Sequence, residues 1–224
     1  MLDVLGTTLP SAVAIAISPL PIIAVILMLM SPRSKQLGLG FLLGWIVGVL
    51  VATTTFVLLA GAVPEPDASG GSEPVIGTFQ LVLGALLLLL AVRQWRSRPA
   101  PGLTAELPSW MSKIDSMKPL AAIGLGFALA AVNPKNLMMA AAAGATIGRG
   151  SLDAGAMALT TVVFTVIAAL SVTVPVLTAV AAPARAATVL AGIRIWLTAN
   201  NATIMTILFI VLGAQLLGKG IASF

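Results

Sequence analysis

No cysteine and no histidine occur among the 224 residues. Disulfides, iron–sulfur clusters and thiol nucleophiles are thereby excluded. An imidazole base and most metal sites go with them. Charge is the next scarcity: 8% of the residues are charged, against about 25% in an ordinary soluble domain. Acids are scarcer still, seven Asp and Glu against twelve Lys and Arg, and none of the seven falls within a long apolar run. Strand-like alternation of polar and apolar residues is also missing, which argues against an outer-membrane barrel.

What remains is apolar. Hydrophobic residues make up 59% of the chain, and the mean hydropathy is +1.10. The composition predicts an all-α integral membrane protein, one compact bundle without a separate soluble domain. The net charge of +5 is better placed in cytoplasmic loops than on nucleic acid, so no nucleic-acid partner is expected. Met1-Leu2-Asp3 carries no basic residue, so the first apolar run reads as a retained helix rather than a signal peptide.

A helix needs about 20 apolar residues to cross a bilayer. Six runs qualify, at roughly 10–30, 38–60, 75–92, 119–145, 154–179 and 202–218. Ser31-Pro32-Arg33-Ser34-Lys35 is a short basic loop, the stretch Pro64 to Pro74 an acidic one, and Arg93 to Lys118 a long basic connector. Loops 1, 3 and 5 hold Arg33, Lys35, Arg93, Arg96, Arg98, Lys113, Lys118, Arg185 and Arg194, whereas the other side holds only Arg149 and Lys219. The positive-inside rule then puts loops 1, 3 and 5 in the cytoplasm and both termini outside.

Three spans precede the connector and three follow it, so the halves run antiparallel. The expected organisation is a first three-helix repeat over 1–92, a cytoplasmic connector with an amphipathic segment over 93–118, and a second three-helix repeat over 119–224. Two segments read as interfacial: Trp110, Met111, Ile114 and Met117 share one helical face, and so do Val189, Leu190, Ile193, Trp196 and Leu197 before the sixth span.

The first span of each half is interrupted by proline. The uncharged run Val4 to Pro32 is centred on Ser18 of Ser18-Pro19-Leu20-Pro21, and the run Pro119 to Gly148 is centred on Asn133-Pro134-Lys135-Asn136. Proline removes a backbone hydrogen bond, and in lipid the freed carbonyl needs another partner. Paired broken helices in two inverted halves are the sequence pointer to a transporter's mid-membrane site. Lys135 is the only charge inside any long apolar run. Holding a charge at that depth costs at least about 2.5–3.5 kcal/mol, which marks a functional site by default. Snorkelling, the plain alternative, suits a residue near the middle of its run poorly. Lys135 has no intramembrane carboxylate to pair with, so it could donate to carbonyls freed near Pro19, to Asn133 or Asn136, or to an anionic substrate group. Ser18, Pro19, Pro21, Asn133, Pro134, Lys135 and Asn136 are the expected substrate-binding residues; no catalytic, cofactor or metal residue is expected.

Other motifs have plainer readings. Gly40, Gly44 and Gly48, and again Gly144 and Gly148, are small-residue stripes that let helices approach closely. Packing within the subunit is their expected use, with a homodimer interface as the lesser alternative. Gly213 to Gly220 approaches a phosphate-binding loop but lacks the final Ser or Thr and a preceding strand. Asn201-Ala202-Thr203 is a formal glycosylation site on the expected cytoplasmic side. A serine–lysine hydrolytic pair would require Ser18 and Lys135 to meet, and no catalytic motif supports one; the protein is not expected to be an enzyme.

Several of these residues carry a resemblance. Ser18-Pro19-Leu20-Pro21, Ser31-Pro32-Arg33 and Gly38 to Trp45 resemble the first half of the glycolipid- and sulfolipid-addressing protein family, within the lysine-exporter superfamily. Trp110-Met111, Asp115, Gly124-Leu125-Gly126 and Ala131 to Leu137 resemble its second half, and Arg194, Trp196-Leu197, Asn200-Asn201, Ile204-Met205 and Gly218-Lys219-Gly220 its C-terminal signature. The resemblance implies a six-span bacterial plasma-membrane protein that helps to move envelope lipids toward the cell surface beside larger lipid-export machinery. The expected function is export of such lipids, or of related amphipathic anionic molecules, through the site at the two broken helices. The alternatives are export of amino acids or other small hydrophilic solutes, and a non-transporting scaffold of a lipid-export complex.

Overall fold

A computed structural model of the chain describes residues 1–62, 74–98, 114 and 116–224. The acidic loop after Val63, and Trp110, Met111, Lys113 and Asp115 of the first interfacial segment, lie outside the described residues. The described residues form eight helices and no strand: α1 (Leu2–Ala16), α2 (Pro19–Leu29), α3 (Ser34–Ala62), α4 (Pro74–Arg96), α5 (Pro119–Ala131), α6 (Pro134–Gly148), α7 (Ala154–Ala181) and α8 (Pro183–Ile221).

Among the described residues, three helices, α3, α7 and α8, are long and apolar enough to cross a membrane. The pairs α1–α2 and α5–α6 meet the same test together, bent by 51° and 60° at their breaks, which raises the count to as many as five. The third expected span coincides with α4, which is helical over the whole of 75–92 but is not among these five. The six-span expectation is met in helix placement and only in part as membrane spans. Many outward side chains are large and apolar, such as Leu43, Leu58, Leu89, Val166 and Ile195, a surface that water would not tolerate in such density.

One boundary differs from expectation. The segment with Val189, Ile193 and Trp196 is not a separate interfacial helix: it runs without interruption into the expected sixth span as the 39-residue α8. Its polar residues suggested a connector, but Asn200 Nδ2 donates to Trp196 O at 2.9 Å and is satisfied inside the helix. The glycine-rich stretch Gly213 to Gly220 and the Asn201 sequon are helical too, which removes both as loop motifs.

The chain divides into two compact units. The larger comprises Met1–Val63 and Leu107–Ile195, the smaller Pro64–Glu106 and Trp196–Phe224. In the larger unit α3 packs along α5, α6 and α7, and α1 packs on α6 and α7. The glycine stripes make these contacts. A Cβ on Gly44 would collide with the Ile123 carbonyl, one on Gly126 with the Phe41 carbonyl, and one on Gly144 would come within 2.6 Å of Phe56 Cβ. The stripes therefore serve packing within the chain, with Phe41 and Trp45 stacked beside them at a centroid distance of 6.3 Å. Residue numbers rise together across these contacts (Gly40 with Pro119, Gly44 with Ile123, Gly48 with Phe127, Gly148 with Val57), so α3 is parallel to α5 and α6. By contrast α1 is antiparallel to α6: Val4 lies against Gly150, and Ala14 meets Lys135.

In the smaller unit α4 and the second part of α8 pack antiparallel, with Gly77 against Gly220 and Gly84 against Gly213. The last turn of α4 carries Arg93 and Arg96, and the Arg98 guanidinium lies 3.1 Å from the centroid of the Trp95 ring, a cation–π contact.

Candidate functional site

The two breaks have the same construction. Ser18 and Asn133 each precede a proline, and a residue in that position is pushed out of the helical region. Both are extended, at φ −73°, ψ 110° and φ −61°, ψ 120°. Pro19 and Pro134 then occupy the first position of the following helix, where a missing N–H costs nothing. Asn133 Oδ1 accepts from the Lys135 backbone N–H at 3.1 Å and caps α6.

At the end of α1 the Ile17 N–H bonds to Val13 O, and the Ser18 N–H reaches only to Ile15 O, at 3.2 Å. An unbroken helix would have sent the Ser18 N–H to Ala14 O. The Ala14 carbonyl is thus released, and Lys135 Nζ donates to it at 2.5 Å. The second break releases the matching carbonyl. Leu129 stands five residues before Pro134, as Ala14 stands five before Pro19, and Leu129 O accepts from Asn136 Nδ2 at 2.9 Å. Ser18 joins the two contacts: its Oγ accepts from Lys135 Nζ at 2.5 Å and donates to Asn136 Oδ1 at 3.1 Å.

One turn of α6 therefore holds the free ends of both broken helices. Helix C-termini are partly negative, which suits a cation set against the end of α1. The cluster is closed: Ser18 is 3%, Lys135 4% and Asn136 1% exposed. The lysine's partners are a carbonyl and a hydroxyl, both neutral, so its charge has no carboxylate counterpart among the described residues.

Of the expected residues, Ser18, Lys135 and Asn136 come into direct contact. Pro19 and Pro21 are buried beside Ser18 in the first turn of α2. Asn133 is half-buried and committed to its cap, and Pro134 is exposed. The Lys135 ammonium donates to neither amide side chain. Sequence reasoning missed Ala14 and Leu129, although the rule that finds them is simple: look four and five residues upstream of each helix-breaking proline.

Ser18 and Lys135 do meet, as a serine–lysine pair would require, but the polarity of the contact is wrong for a nucleophile. The Ser18 hydroxyl accepts from the lysine and donates to Asn136 Oδ1. The arrangement positions a cation against a carbonyl and a hydroxyl.

A family model described as "Sap, sulfolipid-1-addressing protein" matches residues 8–222. No curated protein and no solved structure matches. The matched family is the lipid-addressing one expected from the sequence; it does not speak to the lysine-exporter superfamily.

Proposed function

The chain belongs to the sulfolipid-1-addressing protein family, and on that footing we propose that it exports an anionic envelope lipid through the bacterial plasma membrane. Kinship with the lysine exporters is part of the same proposal. The carrying observation is the buried Lys135 ammonium, which has no counter-charge among the described residues and ties the second broken helix to the first through neutral groups. An anionic headgroup is the partner this cation lacks. Oxygens of that headgroup would replace Ala14 O and Ser18 Oγ on Lys135 Nζ, which would release the end of α1. Binding and opening would then be one event, and the lipid tails could stay in the bilayer while the head visits the site.

Six spans in two inverted repeats suit this role. The exchange of spans 1, 2 and 3 with 4, 5 and 6 is supported by the matched breaks and by the antiparallel packing of α1 on α6. It is also supported by the two units: the larger takes the first two spans of each half, and the smaller takes the third of each. Because α3 is parallel to α5 and α6, the chain between them has to recross the bilayer. Among the described residues α4 is the only helix there with the length to do so, about 34 Å at 1.5 Å per residue. The orientation with loops 1, 3 and 5 in the cytoplasm belongs to the same proposal, as does work beside larger lipid-export machinery.

The absence of native cysteine provides the test. Single cysteines along 12–30 and 125–145 are labelled with water-soluble thiol reagents from each side of the membrane. Reactivity at Ser18→Cys and Asn136→Cys that alternates between sides when lipid supply is changed is the expected result. Uniform protection under every condition would count against transport, and labelling of the 93–118 connector from outside would reverse the orientation.

A further inference from the structure

Buried polar atoms without partners are rare in folded proteins, and each calls for an explanation. Among the described residues of the larger unit three stand out: Trp45 Nε1, Thr53 Oγ1 and Ser171 Oγ. All three sit on α3 or α7, the unbroken helices that pack against the broken pairs. Trp45 and Thr53 are fully buried. Ser171 lies four residues before Pro175 in α7, so its carbonyl also loses the usual helical donor.

Trp45 has the clearest position. Its backbone N lies 2.9 Å from where a Gly126 Cβ would be, and one turn on, Gly48 lies against Ala130, with 2.7 Å between its own virtual Cβ and that of Ala130. Ala130 follows Leu129, whose carbonyl is held by Asn136. The α3 backbone from Trp45 to Gly48 therefore lies along the last two turns of α5, which lead into the second break, and the Trp45 ring stacks on Phe41. An indole N–H is a donor only, and in lipid no water is at hand to satisfy it. Packing alone would be served by phenylalanine, which stacks on Phe41 as well and carries no donor.

We propose that Trp45 is a substrate-contact residue, its indole N–H donating to an oxygen of the anionic lipid headgroup once the broken helices part. The inference rests on the export reading above and extends it from the cation to a second, neutral donor that fixes headgroup orientation. A charge attracts any anion; a directional N–H beside it selects among anions by where their oxygens lie. Thr53 and Ser171 would continue the same polar lining along α3 and α7.

Trp45→Phe is the test, with Lys135→Ala as its reference. In Trp45→Phe the ring is kept and the unmatched donor is gone, so the thermal midpoint in nonionic detergent is expected to stay level or rise. Export at equal protein level is expected to fall about tenfold, the equivalent of one lost hydrogen bond of about 1.4 kcal/mol. Full export by Trp45→Phe beside loss of export by Lys135→Ala would overturn the role of Trp45 and leave the export reading standing. Full export by both would overturn the two together. If Trp45→Phe does not accumulate, a protein keeping Trp45 as its sole tryptophan (Trp95, Trp110 and Trp196→Phe) gives a second measurement. A sulfated glycolipid in nonionic micelles should shift its emission, and the same glycolipid without sulfate should not. The absence of any shift, or equal shifts with both lipids, overturns the proposal.

Discussion

Replacing Lys135 by methionine removes the ammonium while keeping most of the side-chain length, and the structure allows its effects to be separated. The charge costs about 2.5–3.5 kcal/mol at mid-membrane depth, and that cost disappears in the variant. Against it, the Ala14 carbonyl loses its donor, which costs about 1–3 kcal/mol for an orphaned buried acceptor. Ser18 keeps Asn136 as a partner, so no second orphan forms. The balance runs from about 0.5 kcal/mol against the variant to about 2.5 kcal/mol in its favour. Lys135→Met should therefore unfold close to the parent temperature or above it in nonionic detergent. Export should behave in the opposite way. A hydrogen bond from a charged donor contributes about 1.5–3 kcal/mol, so losing even one contact to the headgroup cuts export by at least about tenfold. The assay measures the surface-extractable fraction of the lipid by mass spectrometry, at matched protein levels. Undiminished export would refute the anion-receptor role. A large drop in thermal midpoint would refute the energetic reasoning and make Lys135 a structural staple.

Two further substitutions probe the scaffold around that site. Asn136→Ala orphans Leu129 O and removes the acceptor of the Ser18 hydroxyl at a position only 1% exposed; two such losses should cost about 2–4 kcal/mol, read as a lower thermal midpoint, and an unchanged midpoint would show that this amide does not hold the bend. Gly44→Ala forces its Cβ against the Ile123 carbonyl and should destabilise by about 1–3 kcal/mol through overpacking, whereas Gly124→Ala, with open space around it, should be neutral or gain up to about 1 kcal/mol from helix propensity; equal outcomes at the two glycines would contradict the close approach of α3 and α5.

The breaks were legible because proline and a lone charge act locally. Pro19 and Pro134 begin new helices, whereas Pro10 and Pro175 are carried inside α1 and α7, and Lys135 is conspicuous against any apolar background. The glycine stripes announced close packing for the same reason, although not which helix each would meet. That Lys135 would meet a carbonyl freed near Pro19 was legible, and Ala14 O is that carbonyl; which one it would be, and that the Ser18 hydroxyl would join it, was not, because backbone carbonyls carry no sequence signature. The length of α8 was obscured by Arg194, Asn200 and Asn201, whose polarity suggested a loop. Each can be accommodated within a helix, as the bond from Asn200 to Trp196 shows. The division of the chain into two units, which draws spans from both halves, depends on long-range packing and has no local marker at all.

The correspondence between the breaks also contains a division of labour. Position for position, Asn133-Pro134-Lys135-Asn136 answers to Ser18-Pro19-Leu20-Pro21, yet the second supplies both donors and the first supplies none beyond a hydroxyl. Two copies of the first half would face each other with unclaimed carbonyls and nothing to claim them, and two copies of the second would bring two ammonium groups together. Neither half could have kept this arrangement as a symmetric pair of itself. If the two descend from one ancestor, donors and acceptors had to part company in sequence, and only a chain that holds both can make these bonds within itself.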